Sequence, residues 1–148
     1  MSKIISYRGK LPIGEQNRIR LKTIDGKKGY KIVKFQLIST EPGGADSEFV
    51  GQIFKTDQTG SITTDVDFTN RDLLAVCYHK ADQSSSQGVT DDVIIFDNEK
   101  FNQDIFINIT DKSTATVPCN YYIELEAMAL SDLESTMLTL QSLRTVSE

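Results

Sequence analysis

The chain has 148 residues, 39% hydrophobic and 25% charged, with a net charge of −5, the size and balance of one folded domain rather than a disordered or fibrous chain. One histidine, two cysteines and no tryptophan exclude multi-histidine metal sites, cysteine-rich zinc modules and disulfide scaffolds, and count against most sugar-stacking modules. No glycine-rich phosphate loop occurs.

In chain order, residues 1–16 read as an N-terminal arm and first strand. Met1 to Arg8 carries no seven-residue apolar core, so no secretory signal is read there. No apolar run approaches the roughly 18 residues of a spanning helix. The expectation is therefore a cytoplasmic, reducing setting with Cys77 and Cys119 as free thiols. Ile19 and Leu21 then alternate with Arg18, Arg20 and Lys22, and Val33, Phe35 and Leu37 alternate with Lys34 and Gln36. Both are period-2 strand patterns, and Asp25-Gly26 between them is a hairpin signal. Glu41-Pro42-Gly43-Gly44 ends the second pattern, and Asp57-Gln58-Thr59-Gly60 follows a strand over residues 49–54. Residues 73–78 and 93–96 are continuous apolar runs, predicting central strands covered on both faces or partly so, with a loop over residues 82–88 between them.

Ile105, Ile107 and Ile109 share one strand face. Tyr121, Ile123, Leu125, Ala127 and Ala129 alternate with Tyr122, Glu124, Glu126 and Met128, a half-buried antiparallel strand with both glutamates outward. Ser131-Asp132-Leu133-Glu134 is a capping box. Leu133, Met137 and Leu140 follow at i, i+4, i+7, predicting an amphipathic helix over residues 131–144 that packs either on its own sandwich or on a neighbouring chain. Eight or nine strands at intervals of roughly 10 to 20 residues predict an all-β fold: one antiparallel β-sandwich or jelly-roll domain over residues 1–148 with a short C-terminal helix.

Charge is unevenly spread. Residues 1–34 hold ten of the sixteen basic residues against two acids, a net of +8, and the remaining 114 residues carry −13. Read blandly, these are two solvated faces of one domain. Read functionally, Arg8, Lys10, Arg18, Arg20 and Lys22 form a basic docking edge for an acidic partner surface. An identical neighbour meeting it head to tail is one such partner. Nucleic acid is disfavoured, because the chain is acidic and no aromatics interleave with Arg18, Arg20 and Lys22.

Chemistry-bearing residues are few. Cys77 and His79, at i and i+2 of a strand, are the only adjacent thiol and imidazole, and no third orienting group is legible. The apolar run around Cys77 predicts a core cysteine, and His79 at the strand end is expected to be solvated. Asp65-x-Asp67, Asp91-Asp92 and Asp97-Asn98-Glu99 read as solvated turn acids, since no calcium-loop pattern surrounds them. Asn108-Ile109-Thr110 matches a glycosylation sequon that, without secretion, is an accident of composition. Tyr30, Tyr121 and Tyr122 are expected in core or cross-strand packing.

The opening Met1-Ser2-Lys3-Ile4-Ile5-Ser6-Tyr7-Arg8-Gly9-Lys10-Leu11, the strand Tyr30-Lys31-Ile32-Val33-Lys34-Phe35 and the stretches Val93-Ile94-Ile95-Phe96-Asp97-Asn98, Phe101-Asn102-Gln103-Asp104-Ile105-Phe106 and Asn120-Tyr121-Tyr122-Ile123-Glu124-Leu125-Glu126 resemble small virion structural proteins of marine tailed bacteriophages. The resemblance spans most of the chain and carries no defined site. It implies a non-enzymatic virion component present in many copies, assembled in the host cytoplasm, foremost a capsid decoration or cement protein on the outer head. Its expected partners are the major capsid protein or other virion proteins and further copies of itself, a trimer being favoured. No cofactor, metal, nucleic-acid or membrane partner is expected. The contact residues expected are Arg8, Lys10, Arg18, Arg20 and Lys22, and then Leu133, Met137 and Leu140 on the helix. The alternatives are a minor tail, knob or connector-associated virion protein, or a carbohydrate- or receptor-binding β-sandwich module.

Overall fold

A computed structural model of the chain describes residues 3–21, 27–41, 47–60, 62–81, 89–96, 99–111 and 117–147. The elements are β1 (Lys3–Leu11), β2 (Gln16–Ile19), β3 (Lys28–Ser39), β4 (Ser47–Phe54), β5 (Leu73–Ala81), β6 (Val89–Ile95), β7 (Ile105–Asp111), β8 (Cys119–Ala129) and α1 (Asp132–Ser147). They form two antiparallel sheets, ordered β1-β8-β3 and β2-β7-β4-β5-β6. The expected β-sandwich is the fold. The pairings β1·β8, β2·β7 and β4·β5 are those of a wrapped jelly roll, while β6 stays on its hairpin partner β5 instead of crossing to β3.

The alternation read from the sequence sets which side chains face inward. Ile123 and Leu125 of β8, Ile32, Phe35 and Leu37 of β3, Phe49 and Ile53 of β4, and Ile105, Ile107 and Ile109 of β7 meet between the sheets, all buried. Each large aliphatic or aromatic side chain so buried contributes about 1.5–3 kcal/mol. A β-bulge between Ile32 and Lys34 lets β3 keep Ile32 and Phe35 in the core while Val33 turns out to solvent.

Two local expectations are corrected. Asp25-Gly26, itself outside the described residues, does not close a hairpin of its flanking strands: β2 pairs with β7 and β3 with β8, so the chain crosses between sheets there. The run 93–96 is not in a central strand. β6 is an edge strand, and Val93 and Ile94 are exposed. Of the N-terminal arm and first strand read over residues 1–16, the described part from Lys3 to Leu11 is the strand, paired in register with Ala127 to Cys119.

The helix forms where the capping box is. Glu134 N–H donates to Ser131 Oγ at 3.2 Å and Ser131 N–H to Glu134 Oε1 at 3.4 Å, so each satisfies the other's orphan donor. Among the described side chains, polar groups and half-buried Leu138 make its packed side. Ser135 is buried, Thr139 Oγ1 accepts from Asn102 Nδ2 at 3.1 Å, and Lys100 pairs with Glu134 at 3.1 Å. Leu133, Met137 and Leu140, the face expected to pack on the sandwich or on a neighbour, are 71%, 52% and 56% exposed.

Candidate functional site

The two sheets treat their outer faces differently. On the three-stranded sheet, register stacks cross-strand rows. Two rows set Glu126 beside Lys31 and Glu124 beside Lys34, ion pairs of 3.4 and 4.0 Å. The next two set Arg8 beside Tyr122 and Gln36, and Lys10 beside Asn120 and Ile38. No acid stands in those two rows. Arg8 and Lys10 are exposed and have no ion-pair partner among the described residues, and Ile38 is exposed beside them.

The other members of the expected basic edge lie elsewhere. Arg18 pairs in register with Phe106 and therefore points outward from the five-stranded sheet. Its Nε donates to Asp104 at 2.8 Å and its guanidinium sits over the Phe106 ring at 5.8 Å. Arg20, exposed between buried Ile19 and Leu21, follows on the same side. Lys22 lies outside the described residues. The basic residues that adjoin in sequence are thus divided between opposite faces of the sandwich, and Arg8 and Lys10 alone share a free patch.

The outer face of the five-stranded sheet is covered. The β4–β5 connection, far longer than a hairpin needs, folds back over it. Val50, Phe54, Leu73 and Val76 form a second buried apolar cluster there, with Tyr78 and Phe96 against it. Phe68 of the connection meets Phe96 edge-on at 5.1 Å. Beside this apolar half lies a polar half. Gln16, Asn108 and Gln52 are register partners across β2, β7 and β4, a row of three outward amides. Gln16 Nε2 donates to Asp57 Oδ1 at 2.8 Å and its Oε1 accepts from Gln58 N–H at 2.7 Å. Gln52 Nε2 donates to the Asp65 carbonyl at 3.2 Å. Both outer amides thus pin the connection to the sheet.

The middle amide does neither. Asn108 is 2% exposed, and its Oδ1 has no hydrogen-bond partner. It lines a cavity of about 140 Å3 with Gln52, Phe54 and residues of the connection, among them Asp65, Asp67 and Asn70. Two features of the sequence meet here, the Asp65-x-Asp67 pair and the Asn108 sequon. The fold buries the sequon asparagine in mid-strand. What the sequence could not give is that a connection 13 residues and more away from Gln52 and some 40 from Asn108 would close over both.

Beside Cys77 and His79, the thiol and imidazole adjacent in sequence, stands Asp91, which sequence reading missed. His79 is not solvated: it is buried, stacked on Phe49 at 6.2 Å, and its Nδ1 donates to the Asp91 carboxylate. Asp91 is thus the orienting group that spacing alone did not reveal, since it arrives from the neighbouring strand as the register partner of His79. The thiol cannot use it. Burial, with the Asp91 charge adding to it, pushes Cys77 up to about 12, and burial pushes Cys119 likewise up to about 12. Both are protonated at neutral pH and enclosed in the core. Among the described residues no three His, Cys, Asp or Glu side chains gather as a metal group, and no helix is long and apolar enough to cross a membrane.

No family model matches the chain, and no curated protein matches it either.

Proposed function

We propose that this chain is a non-catalytic assembly subunit, docking through the outer face of its three-stranded sheet on an acidic protein surface, and that the assembly is the head of a tailed phage, where it acts as a decoration protein. The observation that carries the docking is the pair of acid-free rows holding Arg8 and Lys10 beside exposed Ile38. Two cations without ion-pair partners on β1, with exposed Ile38 two strands away across β8, suit a partner that brings carboxylates beside an apolar contact. The choice of assembly rests on the likeness of the strand sequences to phage virion proteins.

The test is co-sedimentation of the purified chain with heads of a marine tailed phage stripped of their outer proteins. Stoichiometric association that weakens as salt rises is expected. Arg8→Glu with Lys10→Glu should abolish it. Arg20→Glu, on the opposite side of the sandwich, should leave it unchanged. Absence of association at low salt, or equal loss with Arg20→Glu, refutes the reading.

A further inference from the structure

The docking face calls for a partner with carboxylates beside an apolar contact, and the chain carries such a surface over its other sheet. Within the β4–β5 connection, Asp65-Val66-Asp67-Phe68 alternates acids with apolar side chains, and residues 62–70 contain no base. All four are exposed, Val66 by 40% and Phe68 by 57%. The segment is held at both ends. Gln52 Nε2 donates to the Asp65 carbonyl at 3.2 Å, and the Phe68 ring meets Phe96 edge-on at 5.1 Å. Asp67 Oδ1 accepts from Thr69 N–H at 2.9 Å and shapes the turn that follows. The Asp65 carboxylate has no hydrogen-bond or ion-pair partner among the described residues. The four side chains therefore form a ready-made acidic knob with an apolar edge, and little ordering is left to be done on contact.

Charge selects how two copies meet through these surfaces. Face against face sets Arg8 and Lys10 against the same two cations. Knob against knob sets Asp65 and Asp67 against the same two acids. Face against knob sets cations opposite carboxylates and offers exposed Ile38 to Val66 and Phe68. The face and the knob lie on the outer sides of opposite sheets, so one copy uses both at once. The exposed Leu133, Met137 and Leu140 of α1 have no such complement, because Asp132 and Glu134 beside them are already paired with Lys27 and Lys100.

We propose that the partner of the docking face is a second copy of this chain, with Arg8, Lys10 and Ile38 of one copy seated on the Asp65–Phe68 knob of the next, a choice of partner that rests on the proposed docking. The contact is head to tail. Each pair keeps one free face and one free knob, and growth continues until a ring closes. A copy seated on an acidic shell turns its own knob outward, where the next copy meets it. A few side chains on each side make a contact of the small, reversible class.

The test is sedimentation equilibrium of the full chain across a wide range of protein concentration. The expected result is a mass above that of the monomer that rises with concentration. The Kd should rise about tenfold or more from low salt to about 1 M salt, where the Debye length has shrunk to about 3 Å. Arg8→Glu with Lys10→Glu spoils the face. Asp65→Asn with Val66→Ser spoils the knob at exposed positions and leaves the Asp67 turn in place. Each double variant alone should stay monomeric. Mixed in equal amounts they should form one-to-one dimers and nothing larger, since one brings the only sound knob and the other the only sound face. Neither a two-fold dimer nor misfolded variants would give that pattern. A parent chain monomeric at every concentration, parent-strength association of either variant alone, or a mixture that stays monomeric overturns the proposal. Binding to stripped heads, measured alongside, separates the two proposals. A monomeric parent that still binds heads through Arg8 and Lys10 overturns the second-copy partner and leaves the docking face standing. Self-association of the expected pattern without head binding supports the second-copy partner and overturns the choice of assembly. Self-association and head binding both unchanged in Arg8→Glu with Lys10→Glu overturn both.

Discussion

Gly9 sits between Arg8 and Lys10 on β1, opposite Tyr121 of β8, and the Tyr121 ring lies over it. A Cβ at Gly9 would come within 2.7 Å of Tyr121 Cζ and Oη and 2.8 Å of Cε2. Ordinary carbon contacts are about 3.5–4.0 Å, so the ring must retreat by about 1 Å. It is not free to do so, because Tyr121 is buried and its hydroxyl accepts from Asn17 Nδ2 on the other sheet at 3.2 Å. Forcing a core side chain off its seat costs about 1–3 kcal/mol, and losing the Asn17 bond a further 0.5–1.5, roughly. The smaller entropy of the unfolded chain returns about 0.4–1 kcal/mol. Gly9→Ala is therefore expected to lose about 2–3 kcal/mol, and its melting temperature to fall by about 4–12 °C for a domain of this size. Urea unfolding followed by tyrosine near-UV dichroism measures it. In a Tyr121→Leu background the same substitution should cost at least about 1 kcal/mol less, because the obstacle is gone. A Gly9→Ala protein as stable as the parent, or an equal cost in both backgrounds, refutes the reasoning.

The remaining predictions concern the thiols, one acid and the helix. With both cysteines near a pKa of about 12, only about one thiol in ten thousand is ionised at pH 8. Ellman's reagent should find two thiols in guanidinium and essentially none in the native protein, and rapid native labelling would contradict the burial. Asp57 is held down from 3.8 to about 2 by the Thr59 hydroxyl, then by Gln16 and the Thr59 N–H. Its folded-state value lies below the unfolded one, so its contribution is full above pH 3.8 and disappears as pH falls toward 2. The melting-temperature gap between the parent and Asp57→Asn should close across that window, and a gap constant from pH 4 to 2 counts against the bonds. Leu133→Ser and Met137→Ser should each change stability by less than about 0.5 kcal/mol, both side chains being exposed. Ser131→Ala, which removes the cap, should cost about 1 kcal/mol. A loss above about 2 kcal/mol for Leu133→Ser in urea unfolding would mean that the helix packs by its apolar side.

The fold class was legible because the strands that build the core alternate cleanly. Tyr121 to Ala129 reads as one buried and one solvated face, and the sandwich buries Tyr121, Ile123 and Leu125, with Glu124 and Glu126 outward against Lys34 and Lys31, while Ala127 is half-buried and Ala129 exposed at the strand's end. Continuous apolar runs were ambiguous for a physical reason. Leu73 to Tyr78 is covered on both sides because a long connection lies over it, whereas Val93 and Ile94 have a similar composition and end on an edge. Composition says what a strand tolerates, not what the rest of the chain places on it. The same limit applied to sites. A +8 segment looked like one surface, yet β1 and β2 belong to different sheets, so Arg8 and Arg18 face opposite ways. Asp91 next to His79, and Asp65 near Asn108, are long-range neighbours created by register and loop closure.

The helix shows how a correct pattern gave the wrong buried side. Its i, i+4, i+7 apolar stripe is real, and an amphipathic helix ordinarily buries such a stripe. Here Ser135, Thr139 and the Lys100–Glu134 pair, with half-buried Leu138, form the packed side among the described residues. Small polar residues let the helix approach Asn102 closely enough for a direct hydrogen bond, which side chains as large as leucine or methionine at those positions would prevent. The consequence is that, among the described residues, the helix meets its own sandwich through specific polar contacts beside Leu138 and leaves Leu133, Met137 and Leu140 exposed. The two outer faces extend that division of labour. The three-stranded sheet leaves Arg8 and Lys10 exposed and without ion-pair partners among the described residues, and the five-stranded sheet buries Asn108 under the β4–β5 connection. Because the sheets lie back to back, a subunit seated through the first face turns the second away from the surface it sits on.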